Sequence, residues 1–172
     1  MDFFDTYAPV THLTSIHILV AIANAHRLKL EQLNVKMAYL YGDLNETIYM
    51  DPPEGISTTP DDVWLLEKSL YGLKQSGKAW NDKIHDILTT MGFNHCAGDQ
   101  CIYIYNADST YCALALYVDD ILLACDSEPF MHKLKADLKS NFKITELGPA
   151  RFLLGIEIKH NCDQHTISIS QH

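Results

Sequence analysis

A chain of 172 residues, 47% of them hydrophobic and with a formal net charge of −9, is long and apolar enough for one domain with a sizeable core. The acidic balance argues against tight, sequence-independent nucleic-acid binding by these residues alone, so any such role needs a local basic patch or basic surface supplied from outside them. No apolar run nears the roughly 20 residues of a membrane span. The start, Met1-Asp2-Phe3-Phe4-Asp5, is acidic where a secretory signal would be basic. Five cysteines with no Cys-x-x-Cys pair fit a reducing, intracellular setting, and Cys162 with His165 lacks the second pair a metal site would need.

In chain order, residues 2–10 read as extended, with Pro9 as punctuation. Thr11 or Thr14 can cap a helix to about residue 27, with Ile16, Leu19, Val20 and Ala23 as its apolar stripe. His12, His17 and His26 do not converge on one helical face, which fits surface or packing roles better than ligation. Leu28, Leu30, Leu33 and Val35 predict a strand ending near Asn34-Val35-Lys36, and residues 37–44 a turn or short helix closed at Gly42. Short strands follow at 47–50, stopped by Pro52-Pro53, and at 63–66, around a polar loop at 54–62. Ser76 can cap a helix carrying Ala79, Trp80, Ile84, Ile87, Leu88 and Met91 on one side, ended by Gly92. Residues 101–105 and 111–118 predict a hairpin across the loop 106–109, followed by a strand at 121–125. Ser127 caps a third helix, with Pro129 in its first turn and Phe130, Leu134 and Leu138 inward. Residues 145–149 read as a turn; 152–158 and 166–169 read as strands. About three helices and seven or eight short strands, many joined by hairpins, predict an α+β fold: an antiparallel sheet with helices packed on one face.

The stretch Tyr117-Val118-Asp119-Asp120 interrupts this apolar pattern. An apolar run leads in, two carboxylates break it, and another run leads out, so the Asp pair is expected at a tight turn between two buried strands. Adjacent carboxylates repel unless a cation is shared or water screens them. The motif alone leaves two readings open, a divalent-metal site on a hairpin and an ordinary Asp-rich turn.

Six blocks, in order, give that stretch a context. They are Thr6-Tyr7-Ala8-Pro9-Val10; Leu33-Asn34-Val35-Lys36-Met37-Ala38-Tyr39-Leu40-Tyr41-Gly42-Asp43-Leu44; Ile48-Tyr49-Met50 with Pro53-Glu54-Gly55; Tyr71-Gly72-Leu73-Lys74-Gln75-Ser76 with Ala79-Trp80; the Tyr117–Asp120 stretch; and Leu147-Gly148-Pro149 with Phe152-Leu153-Leu154-Gly155-Ile156. Together they resemble the reverse transcriptase domain of Ty1/copia-type retrotransposon polyproteins over essentially the whole chain, 1–172. The resemblance implies a polymerase palm with part of the fingers and no thumb. It implies nucleotidyl transfer from a dNTP to a primer 3′-hydroxyl on an RNA or DNA template, assisted by two Mg²⁺ ions. The metal carboxylates would be Asp119 and Asp120, with a third Asp on the neighbouring strand.

That third position is Asn34, the main departure from the family pattern. An amide offers one neutral oxygen where a carboxylate offers two and a full charge, so impaired activity is expected. The alternative is a catalytically dead retroelement remnant with at most a binding or structural role. By the same resemblance Tyr39 would stand against the ribose 2′-position, and Lys74 and Gln75 would meet nucleotide or template. Phe152, Leu154 and Gly155 would form a hairpin gripping the primer end. Tyr39 also suits a core aromatic, Gln75 a polar helix start, and 152–156 a plain core strand. His12 stands where the family commonly has Arg. Further fingers sequence, the thumb, RNase H and integrase are expected to lie outside these residues.

Overall fold

The computed structural model describes residues 6–56, 59, 62–161, 164 and 166–171; the acidic start and the Cys162/His165 pair lie outside the described residues. The elements are α1 (Leu13–Ala25), β1 (Lys29–Val35), a 3₁₀ turn (Ala38–Tyr41), β2 (Tyr49–Met50), β3 (Trp64–Leu65), α2 (Ser76–Thr90), β4 (Asn94–Cys96), β5 (Asp99–Ala107), β6 (Thr110–Tyr117), β7 (Asp120–Cys125), α3 (Glu128–Asn141), β8 (Ile144–Pro149), β9 (Phe152–Leu153), β10 (Ile156–Asn161) and β11 (Thr166–Gln171). Six strands form one antiparallel sheet in the order β4-β5-β6-β7-β1-β8. β9, β10 and β11 form a second small sheet, and β2 pairs with β3. The class is therefore α+β, as the hairpin-rich pattern predicts. No helix among the described residues is long and apolar enough to cross a membrane.

The centre of the large sheet is buried on both faces, which is why β6 and β7 read as unbroken apolar runs rather than alternating ones. Cys112, Leu114, Leu116, Ile121, Leu123 and Cys125 pack with Trp80, Ile84 and Leu88 of α2 and Met131, Leu134 and Leu138 of α3. The alternate positions Ala113, Ala115, Leu122 and Ala124 join Ile16, Leu19, Val20 and Ala23 of α1, and Leu153, Ile156 and Ile158 of the small sheet. Helices on one face only was thus too narrow an expectation. Three alanines keep the second face low enough for α1 and a strand layer to cover it.

Other local expectations need correction. Residues 145–149 are not a turn but most of β8, which pairs with β1 through an irregularity between Gln32 and Leu33. Gly148-Pro149 looks like a turn signal, yet Pro is tolerated at the end of an edge strand, where its missing N–H is not needed. β4 was not anticipated; its sequence, Asn94-His95-Cys96, has no apolar signature. The strand-like run at 152–158 is split by Leu154 and Gly155, both at positive φ (52° and 76°), into the tight hairpin β9–β10. The loop at 106–109 narrows to Asp108 and Ser109, also at positive φ, with both strands reaching it.

Ser76 does not cap α2. It is buried in the first turn and its hydroxyl donates to the Leu70 carbonyl, while Gln75 holds the cap position without a side-chain bond. Ser127 does cap α3, its Oγ accepting from the Phe130 amide at 3.4 Å. Gly42 closes the 3₁₀ turn for a steric reason rather than a left-handed one. Its φ is −67°, and a Cβ there would lie 2.8 Å from both Ala79 Cβ and Ser69 Oγ.

Candidate catalytic hairpin

Tyr117 and Asp120 close the β6–β7 hairpin as a paired register position, leaving Val118 and Asp119 as the two-residue turn. Val118 has φ 52°, a conformation that normally falls to Gly at the first position of such a turn. A β-branched side chain there costs about 1–2 kcal/mol of backbone strain.

Two hydrogen bonds hold the strained turn, and two more brace it from behind. The Trp80 indole Nε1 donates to the Val118 carbonyl at 2.8 Å, from a ring only 2% exposed. The Val35 amide donates to the Asp119 carbonyl at 2.7 Å. One step back, the Thr11 hydroxyl donates to the Leu116 carbonyl, and the Cys101 thiol to the Pro9 carbonyl at 3.2 Å. The block around Pro9 therefore braces the hairpin from behind, and the Ala79-Trp80 pair braces its tip.

Asn34 lies opposite Asp120 in the β1–β7 register, and its Nδ2 donates to Asp120 Oδ1 at 3.1 Å. The strand pairing thus brings Asn34 to the Asp pair, the juxtaposition the sequence blocks imply. Asp119 has a different partner. The Tyr71 hydroxyl lies 3.2 Å from one carboxylate oxygen and 3.4 Å from the other. The Tyr71 ring packs on Tyr39 with centroids 4.5 Å apart. Partial burial pushes the Asp119 carboxyl above its ordinary range; the Tyr71 hydrogen bond opposes this and the Asp120 charge adds to it. Burial first, then the nearby Asp119 charge, raises both tyrosine hydroxyls as well.

Tyr39, carried by the 3₁₀ turn, is therefore part of this cluster. Gln75 is buried at the head of α2 and lines a charged cleft with Asp43, Lys78, Asp82 and Lys83 rather than the Asp119 hairpin. Lys74 is exposed on the connecting turn. Phe152, Leu154 and Gly155 belong to the separate β9–β10 hairpin, Phe152 exposed at its start and Leu154-Gly155 at its tip. Tyr71 is the residue that sequence reasoning passed over. An aromatic directly before Gly72, whose φ is 100°, was the available signal of a presented side chain.

The donor set can be compared with what two divalent ions need. Asp119 and Asp120 are two carboxylates, both accepting from neutral donors of the chain, and the third group is an amide whose nitrogen faces Asp120. Asp43 does not replace the missing charge, because Lys68 and Lys83 hold its carboxylate, and their hydrogen bonds keep it below its ordinary range. Among the described residues no three His, Cys, Asp or Glu side chains are grouped to hold a metal ion. Two carboxylates and an amide offer one charge fewer than the three-carboxylate set that the resemblance implies for a pair of Mg²⁺ ions.

A family model described as reverse transcriptase (RNA-dependent DNA polymerase) matches residues 1–172. The chain belongs to the reverse transcriptase family. It is 36% identical over 174 aligned residues to the retrovirus-related Pol polyprotein from transposon TNT 1-94 of Nicotiana tabacum, covering 99% of this chain and 13% of that protein. It is 32% identical to the Pol polyprotein from transposon RE1 of Arabidopsis thaliana, over 92% of this chain and 11% of the relative. The transposon Ty1-ER2 Gag-Pol polyprotein of Saccharomyces cerevisiae is 32% identical over 91% of the chain and 9% of its own length. This reverse transcriptase sequence is thus of the Ty1/copia type, and it spans roughly a tenth of the length of these polyproteins.

Proposed function

We propose that residues 1–172 are the palm and part of the fingers of a retrotransposon RNA-directed DNA polymerase, and that this copy is impaired in nucleotidyl transfer. The family works with divalent metal ions, a nucleic-acid template and dNTPs. In this reading the β6–β7 hairpin presents Asp119 and Asp120, and Tyr39 lies beneath the incoming sugar. Lys74 lies near phosphate, and Phe152, Leu154 and Gly155 form the primer-facing hairpin. The remaining fingers, thumb, RNase H and integrase belong to other parts of a polyprotein.

The observation that carries the impairment is the Asn34–Asp120 contact. Where a β1 side chain meets the Asp pair, the chain supplies a neutral donor in place of a third carboxylate. Groups that stabilise charge developing in a transition state are individually worth about 100-fold or more in rate. The test is primer extension by a longer polyprotein segment containing this domain, with Asn34 or with Asn34→Asp. The Asn34 protein is expected to extend at least about 100-fold more slowly. Equal, robust extension by both would overturn the impairment. No extension by either would favour the remnant reading, in which the scaffold outlived its chemistry.

A further inference from the structure

Both hairpin carboxylates already have partners from the chain, and each partner is a neutral donor: the Asn34 amide on Asp120 and the Tyr71 hydroxyl on Asp119. A carboxylate at position 34 would face Asp120 directly across the strand pair, with Asp119 one residue away. Like charges directly opposite on neighbouring strands are destabilising, whereas an amide opposite a carboxylate donates a hydrogen bond. A three-carboxylate centre therefore carries a cross-strand repulsion that a bound cation would relieve, and the Asn34–Asp120 pair removes it.

We propose that Asn34, with the Tyr71 hydroxyl as the second donor, makes the hairpin a cation-independent lock, so that the stability of this chain does not respond to divalent ions and reverting Asn34 to Asp makes it respond. This deepens the reading of the hairpin as a former polymerase centre and rests on it, but concerns stability rather than turnover. The lock is built from three sides. β1 supplies Asn34 and the Val35 amide to the Asp119 carbonyl. The turn after Leu70 supplies Tyr71, fixed by Ser76 Oγ on the Leu70 carbonyl and by the Tyr39 ring. α2 supplies the Trp80 indole to the Val118 carbonyl.

The experiment is thermal unfolding of the 172-residue chain in EDTA and in millimolar Mg²⁺ or Mn²⁺, for the natural sequence, Asn34→Asp and Tyr71→Phe. The natural chain is expected to melt within about 1 °C in the two solutions. Asn34→Asp is expected to melt about 3–8 °C lower in EDTA and to recover with the cation. Tyr71→Phe keeps the ring on Tyr39 but drops the donor, and is expected to melt about 1–3 °C lower with no recovery. Cation stabilisation of the natural chain equal to that of Asn34→Asp overturns the proposal. So does Asn34→Asp melting alike in both solutions, or failing to fold in both. A Tyr71→Phe that melts like the natural chain removes Tyr71 from the lock. Restored primer extension by Asn34→Asp without cation-dependent melting would sink this inference while leaving the polymerase reading intact; the reverse result would separate them the other way.

Discussion

Strand β1 touches two acidic centres, and they are neutralised in different ways. At its middle, Glu31 reaches Lys135 of α3 at 2.7 Å, and the same ammonium holds Glu146 of β8 at 2.8 Å, with Lys139 also on Glu146. The Lys135 side chain is only 7% exposed. At its end, Asn34 meets Asp120 beside Asp119, and the donors seen on the two carboxylates, the Asn34 amide and the Tyr71 hydroxyl, are neutral. By strand parity Glu31 shares a face with Leu33 and Val35 under α3, while Asn34 lies on the other face. The first centre contains its own cation and ties three elements together. The second sets two adjacent carboxylates on a strained turn with neutral donors, an arrangement that costs stability and that, on the proposed function, chemistry would explain.

The largest test of this contrast removes the internal cation. Lys135→Met leaves Glu31 without its partner and Glu146 with Lys139 alone. The expected loss is about 3 kcal/mol in urea unfolding near neutral pH, at the low end for breaking a buried pair because Glu146 is a third exposed. A loss below about 1 kcal/mol would make this pair no better than a surface ion pair and erase the contrast.

Acid titration probes the same centre without mutation. The hydrogen bonds from Lys135 and then Lys139 hold the Glu146 carboxyl down at about 2, against an ordinary 4.5. A depressed carboxyl stabilises the fold above its unfolded pKa and loses that contribution as pH falls through the folded one. Stability should therefore drop between pH 4.5 and about 2, and Glu146→Gln should flatten that segment of the profile. Asp119, raised by burial, has the opposite sign: its contribution is present below 3.8 and lost as pH rises through its folded value.

The contrast was only half legible in the sequence. The strands of the second centre are unbroken apolar runs around Asp119 and Asp120, and the motif blocks bring Asn34 there, so its membership could be read in advance. The first centre depends on β8, which local turn signals at Gly148-Pro149 concealed and only long-range pairing with β1 defines. Glu31, Lys135 and Glu146 are 104 and 11 residues apart in consecutive steps and look like ordinary surface charges one at a time. Helix α1 on the far face was likewise invisible as a layer, because the apolar stripe of a helix says that it packs but not on which side. Tyr71 was visible as a motif letter, but its role depends on the path of the turn through Gly72.

Trp80→Phe sharpens how the second centre is held. It keeps an aromatic ring beside Tyr41 and Phe142 but removes the N–H that satisfies the Val118 carbonyl. The expected cost is about 1–3 kcal/mol from the unsatisfied carbonyl together with lost packing. Amide exchange at Val35, whose N–H bonds the Asp119 carbonyl, should rise more than exchange at the centre of β7. Equal acceleration at both places would mean that the indole supports the core in general and not the turn.

Asp119→Asn carries the smallest expected change and the most direct one. If the hairpin charge is a burden left from catalysis, neutralising it should stabilise the chain. The Tyr71 hydroxyl can still donate to the amide oxygen, so the principal change is loss of repulsion with Asp120 and of the burial cost of the charge. A gain of about 0.5–1 kcal/mol in urea unfolding is expected near neutral pH. The corresponding change at the other centre, Glu31→Gln, should go the opposite way, because it takes a charge from a satisfied pair. Opposite signs for two carboxylate-to-amide changes, one at each centre β1 touches, would separate a charge kept for folding from one kept for chemistry. A loss of stability in Asp119→Asn comparable to that in Glu31→Gln would show that both centres hold the fold alike.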